Sequence, residues 1–186
     1  SAWCARGGPV LRDGMIYCTA GIWPFMGVFV YAIDAETGRV IWENSDTGAI
    51  YIKQQHYSPA FGGMSPQGYL AATQEKLLVT SRTIPACFDT HTGKLLYYHL
   101  SDRSFGKYVG GYAAFAWKQW FVNNKVAYRL SDGLALGRIS AQVMAADAVV
   151  GVDEDGAVTA YALAEEQTRD PKSKKVTTRL KADPLW

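Results

Sequence analysis

The chain has 186 residues, 48% of them hydrophobic, which suits one domain with a packed core and excludes a disordered polymer. Lys and Arg number 19 against 17 Asp and Glu, and the formal charge of +2 is too small for a nucleic-acid surface or a polybasic membrane anchor. No apolar run approaches the ~20 residues that span a bilayer, and the 3 cysteines show none of the Cys-x-x-Cys spacings of a zinc ribbon, a thioredoxin-like site or a c-type haem.

From the start of the chain, "GPVLRD" (8–13) and "MIYCTAG" (15–21) read as two strands about an Arg12-Asp13-Gly14 turn. With Leu11 facing Met15, Cys18 falls opposite Gly8 and Cys4 lies about 13 Å further along, outside disulfide reach. Cys87 belongs to a later unit, so all three thiols are expected to be free. Next comes "VFVYAIDAETGRVIW" (28–42), in which Val28 to Ile33 forms one strand, Thr37-Gly38 turns the chain and Val40 to Trp42 begins another. "IYIKQQHYSPAFGGMS" (50–65) reads as a long loop, with Gly62-Gly63 letting an innermost strand pack near an axis.

The same order then returns. "GYLAAT" (68–73) and "KLLVTSR" (76–82) precede "IPACFDTHTGKLLYY" (84–98), where Asp89 matches Asp34, Thr92-Gly93 matches Thr37-Gly38, and Tyr97 stands for Trp42. "GYAAFA" (111–116) and "QWFVNN" (119–124) lead into "KVAYRLSDGLALGRI" (125–139), a third copy with Asp132-Gly133 at its turn. "AQVMAA" (141–146), "AVVGVD" (148–153) and "GAVTAYALAEE" (156–166) begin a fourth. Four strands per unit, repeated about four times without helical periodicity, describe the blades of an all-β propeller. Residues 165–186 are polar and charged, and read as a linker or the start of a further blade, with Lys172 to Lys175 as a solvated face.

The pattern Ala-x-Asp-x-x-Thr-Gly-x-x-x-Trp in Ala32 to Trp42 resembles the tryptophan-docking repeat of the PQQ-like, or quinoprotein alcohol dehydrogenase-like, β-propellers, over roughly residues 3 to 163. The resemblance implies that residues 1–164 form about four four-stranded blades of a seven- or eight-bladed ring. It implies that the Trp of one blade stacks on the next, which makes Asp34, Gly38, Trp42, Asp89, Gly93 and Tyr97 docking residues. It further implies a periplasmic or other extracytoplasmic binding or scaffolding module, similar in type to the propeller lipoproteins of outer-membrane assembly, with a protein partner or the remaining blades against it. The alternative it offers is a fragment of a PQQ-dependent dehydrogenase, a quinoprotein oxidoreductase. That family holds PQQ near the axis with calcium ligands, a catalytic Asp and adjacent cysteines. Here no cysteines are adjacent, and Asp34 and Asp89 belong to the turn motif. No catalytic residue, metal ligand or resident cofactor is therefore assigned, and the chain is read as non-catalytic.

Strand alternation sorts the loops onto two rims. The turns after the first and third strands are short. The loops before the first strand and between the second and third are longer and richer in aromatic and hydrogen-bonding residues, which makes that rim the better place for a ligand or partner. Arg6, Trp23, His56, Arg82, Tyr108 and Asn123 are the candidate contacts there, with Lys53, Lys107, Phe25 and Tyr57 beside them. Such a mixture suits a small polar or anionic ring ligand, or a peptide strand. Two competing readings remain: Trp23-Pro24-Phe25 as a plug between blades, and His56 as a solvated loop residue.

Overall fold

The computed structural model describes residues 4–54, 57–81, 83–100, 110–141, 143–152, 155–169, 171, 174 and 176–186. Four antiparallel four-stranded sheets follow one another along the chain. The first comprises β1 (Val10–Arg12), β2 (Met15–Ala20), β3 (Phe29–Asp34) and β4 (Val40–Asn44). A two-stranded hairpin follows, β5 (Tyr51–Lys53) with β6 (Pro59–Phe61). The second sheet has β7 (Ala71–Ala72), β8 (Lys76–Val79), β9 (Ala86–Asp89) and β10 (Leu95–Tyr97). The third has β11 (Ala114–Trp117), β12 (Trp120–Asn123), β13 (Val126–Arg129) and β14 (Ala135–Arg138). The fourth has β15 (Val143–Met144), β16 (Val149–Val152), β17 (Val158–Arg169) and β18 (Val176–Pro184). Each sheet is a simple meander, as in a propeller blade.

The period-2 alternation of a strand explains why the sheets stack. In β8 and β9, Leu77, Val79, Ala86 and Phe88 join Tyr17, Val30 and Ala32 of the first sheet, while Leu78 and Cys87 point the other way to Phe121 and Tyr128 of the third. In turn Val122 and Ala127 leave the opposite face of the third sheet to meet Val149 of the fourth. The middle sheets are thus buried on both faces, and their strands read as near-continuous apolar runs.

The innermost strands interlock through backbone. Gly8 N–H donates to the Gly68 carbonyl (2.7 Å), Leu70 N–H donates back to Gly8 (3.2 Å), and Tyr69 N–H donates to Tyr112 (2.6 Å). Gly68 adopts φ +77°, and a Cβ there would collide with the Tyr112 carbonyl, so this approach requires glycine. The Gly62-Gly63 pair, expected at such an axis, lies elsewhere: a Cβ on Gly63 would meet the Thr47 and Gly48 carbonyls leaving the first sheet.

Neighbouring sheets are also pinned by side chains at the rim of the Thr-Gly turns. Trp42 Nε1 donates to the Thr90 carbonyl (2.8 Å) and Asn44 Nδ2 to that of Gly93 (2.8 Å). One sheet on, Tyr97 Oη donates to the Leu130 carbonyl (3.1 Å), and His99 Nε2 lies 2.7 Å from the Asp132 carbonyl. Trp42 covers Gly93 and Tyr97 covers Gly133. Trp42 is half-buried rather than buried. In the third sheet Gly137 occupies the position of Trp42, and another device joins it to the fourth. Glu165 accepts from Trp120 Nε1 (3.1 Å) and Arg129 Nε (3.1 Å).

Three expectations are corrected. The first hairpin turns on two residues, Asp13 (φ +49°) and Gly14 (φ +76°), so Leu11 pairs with Ile16 and Arg12 with Met15. Cys4 then lies beside Gly21, whose N–H donates to its carbonyl (3.1 Å); Cys4, Cys18 and Cys87 are free thiols. The loop at 50–65 contains the β5–β6 hairpin. Of residues 165–186, read as a linker or the start of a further blade, Glu165–Arg169 and Val176–Pro184 belong to β17 and β18 and complete the fourth sheet as the ladder from Tyr161↔Pro184 to Arg169↔Val176. Leu163 and Leu180 pack on the third sheet while their neighbours face solvent, an alternation that the charged composition masks.

Candidate functional site

The rim opposite the Thr37-Gly38 and Thr92-Gly93 turns is built by one recurring device. In the first three sheets a polar side chain at or just beyond the end of the second strand closes on the segment that enters the first strand. Thr19 donates its hydroxyl to the Arg6 carbonyl, and Thr80 donates to that of Gln67. In the third sheet Asn123 Nδ2 donates to the Gly111 (3.0 Å) and Ala113 (2.7 Å) carbonyls, and its Oδ1 accepts the Gly111 N–H (2.9 Å).

The candidate residues therefore separate. Arg6 is exposed on this rim and its Nε donates to the Pro66 carbonyl (3.3 Å). Trp23 lies on the same rim in the loop between β2 and β3, 55% exposed. Asn123 is buried with both amide ends engaged, and its role there is to hold the loop rather than to contact a ligand. His56, Arg82 and Tyr108 lie outside the described residues. The docking residues Asp34, Gly38, Trp42, Asp89, Gly93 and Tyr97 belong to the strands and turns at the other rim or between sheets.

Beside Trp23 opens a cleft of about 400 Å³ between the first two sheets. The short helical turn Pro24–Met26 presents Trp23, with Met26 N–H donating to the Trp23 carbonyl (2.9 Å). The β5–β6 hairpin supplies Gln54 and Phe61, and the end of the second sheet supplies Ser81, Thr83 and Tyr98. Ser65 Oγ donates to the Ile22 carbonyl (2.8 Å) and fixes the hairpin's exit to the Trp23 loop. Tyr98 Oη donates to the Gly63 carbonyl (3.3 Å) and accepts from Thr83 Oγ1 (3.4 Å). Gln54 Nε2 donates to Ile52 (3.3 Å) and Ala60 (3.4 Å). Ser81 is 1% exposed and its Oγ has no hydrogen-bond partner among the described residues. No described residue lining the cleft is charged.

Sequence reasoning placed the Trp23 loop on this rim but missed Gln54, Phe61, Ser81 and Tyr98 as cleft residues. The alternation in "YIK" and "PAF" either side of a turn was the available signal for the hairpin that brings two of them in. A second cleft, of about 390 Å³, lies beside Trp42 at the Thr-Gly rim, between Arg12 and His91. Among the described residues no three His, Cys, Asp or Glu side chains converge as a metal site, and no helix is long and apolar enough to cross a membrane.

No known family profile matches the sequence, and no curated protein matches it. Among solved structures the chain is similar to BamB from Moraxella catarrhalis, with a TM-score of 0.51 and 13% identity over 94% of this chain and 52% of that one. At this identity the likeness is one of fold, that of a β-propeller. The chain spans about half the length of that protein.

Proposed function

We propose that the chain is a non-catalytic β-propeller domain that binds a ligand or partner on the rim carrying Arg6 and Trp23, as part of an extracytoplasmic scaffold. The observation behind this reading is the aromatic and apolar surface gathered there. Trp23 and Phe61 flank the cleft, and Tyr51 (62% exposed) meets Phe61 edge-on at 5.1 Å between ring centroids. Tyr57 is 67% exposed beneath the Lys53 ammonium. Large exposed aromatics gathered on one rim favour recognition, because they bring apolar area to a contact. The likeness to BamB supports the scaffold reading at the level of fold.

The test is capture of partners from a cell-envelope extract by parent protein and by a Trp23→Ser, Phe61→Ser variant, quantified by mass spectrometry. Specific capture should fall at least tenfold in the variant at an unchanged melting temperature. A Leu11→Ser, Ile41→Ser protein, altered away from this rim, should capture like the parent. Equal capture by the rim variant would reject the assignment.

A further inference from the structure

The junctions between sheets repeat one contact: a cross-strand row on one sheet packs on a row of the next. Val10, Tyr17, Ala32 and Trp42 of the first sheet meet Ala72, Leu77, Phe88 and Leu95 of the second. Ala71, Leu78, Cys87 and Tyr97 on its other face meet Ala116, Phe121, Tyr128 and Ala135 of the third. Two rows are left over at the ends of the stack. Leu11 (67% exposed), Ile16, Ile33 and Val40 (51%) form a receiving row on the outer face of the first sheet. Val143 (58%), Val150 and Ala160 form a presenting row on the far face of the fourth. The β17–β18 arm leans the other way, onto the third sheet, and leaves that far face open.

A plug and a seat mark these two faces as complementary. In the first three sheets a bulge interrupts the outermost pairing, and the residue after it, Trp42, Tyr97 or Gly137, lies opposite Ala32, Cys87 or Ala127. In the fourth sheet Leu185 N–H donates to the Ala160 carbonyl (2.8 Å) and Ala160 N–H donates to that of Trp186 (3.1 Å). Trp186 thus occupies the place of Trp42, with its side chain 70% exposed. The seats of Trp42 and Tyr97 are Gly93 and Gly133; on Gly38, with the same left-handed backbone, a Cβ meets nothing within 4 Å.

We propose that the far face of the fourth sheet docks on the first sheet of a second copy, each Trp186 covering the Gly38 of the other chain, so that two copies close head to tail. A second copy supplies both missing rows at once. The chain spans 52% of BamB, so two copies match the length of one such propeller, and twice four sheets stays within the roughly four to eight blades of closed rings. A head-to-tail contact that closes after two copies gives a two-fold dimer. The Trp23 rim plays no part in this contact.

Sedimentation equilibrium of the 186-residue chain at micromolar concentration should give twice the chain mass of 20.4 kDa. Trp186→Ala and Val40→Lys alter exposed side chains on opposite faces. Each should keep the parental far-ultraviolet circular dichroism and raise the dimer Kd at least tenfold, since each damages both junctions. Mixed together, the two variants retain one intact junction per pair and should associate more tightly than either alone. A monomer at all these concentrations overturns the proposal and leaves the two faces to a different partner. An open-ended series of oligomers, parental affinity in both variants, or a mixture no tighter than its components overturns it equally.

Discussion

Asp34 and Asp89 show what a single side chain contributes to this repeat. Each carboxylate folds back on its own turn: Asp34 Oδ1 accepts from the Thr37 hydroxyl and amide (both 2.7 Å), and Asp89 Oδ1 from those of Thr92 (both 2.8 Å). The Thr hydroxyl, then the Thr amide, hold both acids below the ordinary value of 3.8. Because the folded-state pKa is depressed, the stabilisation is fully present above the unfolded value and is lost as pH falls through the folded one. Urea midpoints should therefore decline as the pH drops below about 4. A Thr37→Ala, Thr92→Ala protein should show a shallower decline over the same range. A parallel pair of curves would show that these carboxylates do not set the acid limb.

The Thr-Gly turns also permit a comparison between elements that differ in one respect. Gly38 and Gly93 share the left-handed backbone, φ +72° and +69°, but a Cβ on Gly38 meets nothing within 4 Å, while one on Gly93 meets the Trp42 indole. Gly38→Ala should cost about 1–2 kcal/mol from the backbone alone. Gly93→Ala should cost a further ~1–3 kcal/mol by displacing Trp42 from its seat. In a Trp42→Ala background that surplus should vanish, leaving the two glycine substitutions equal in denaturant melts. Persistence of the surplus without the indole would place its origin outside the contact between sheets. The third junction lacks this seat. There Glu165 serves as a side-chain acceptor for Trp120 and Arg129, a substitution of polar pairing for aromatic stacking.

For the molecule as a whole, stacked sheets that touch only their neighbours should open in units. Removing the Trp42 indole deletes both the hydrogen bond to Thr90 and the ring over Gly93. Hydrogen exchange read by mass spectrometry should then accelerate in β2 and β3 while β12 and β13, two junctions away, retain parental protection. Uniform acceleration across all sheets would mean that the chain opens as one cooperative body.

Strand order and sheet membership in the first three sheets were legible from the sequence, because period-2 alternation and the Asp-x-x-Thr-Gly turn are local properties of consecutive residues. The turn at Asp13-Gly14 was legible as a turn but not in its register, which depends on both residues adopting positive φ. The tail at 165–186 was misread because its charges face solvent, and only the third sheet beneath Leu180 reveals its buried side. Asn123 looked like a rim contact until its three hydrogen bonds closed on Gly111 and Ala113, residues brought beside it by the hairpin. The cleft draws Trp23, Phe61 and Ser81 from three separate loops or strands. Sequence by itself determined the repeating blade, since each blade's signals lie within a few dozen residues; the tertiary structure alone decided the site, since which side chains share a cavity depends on how one sheet packs against the next.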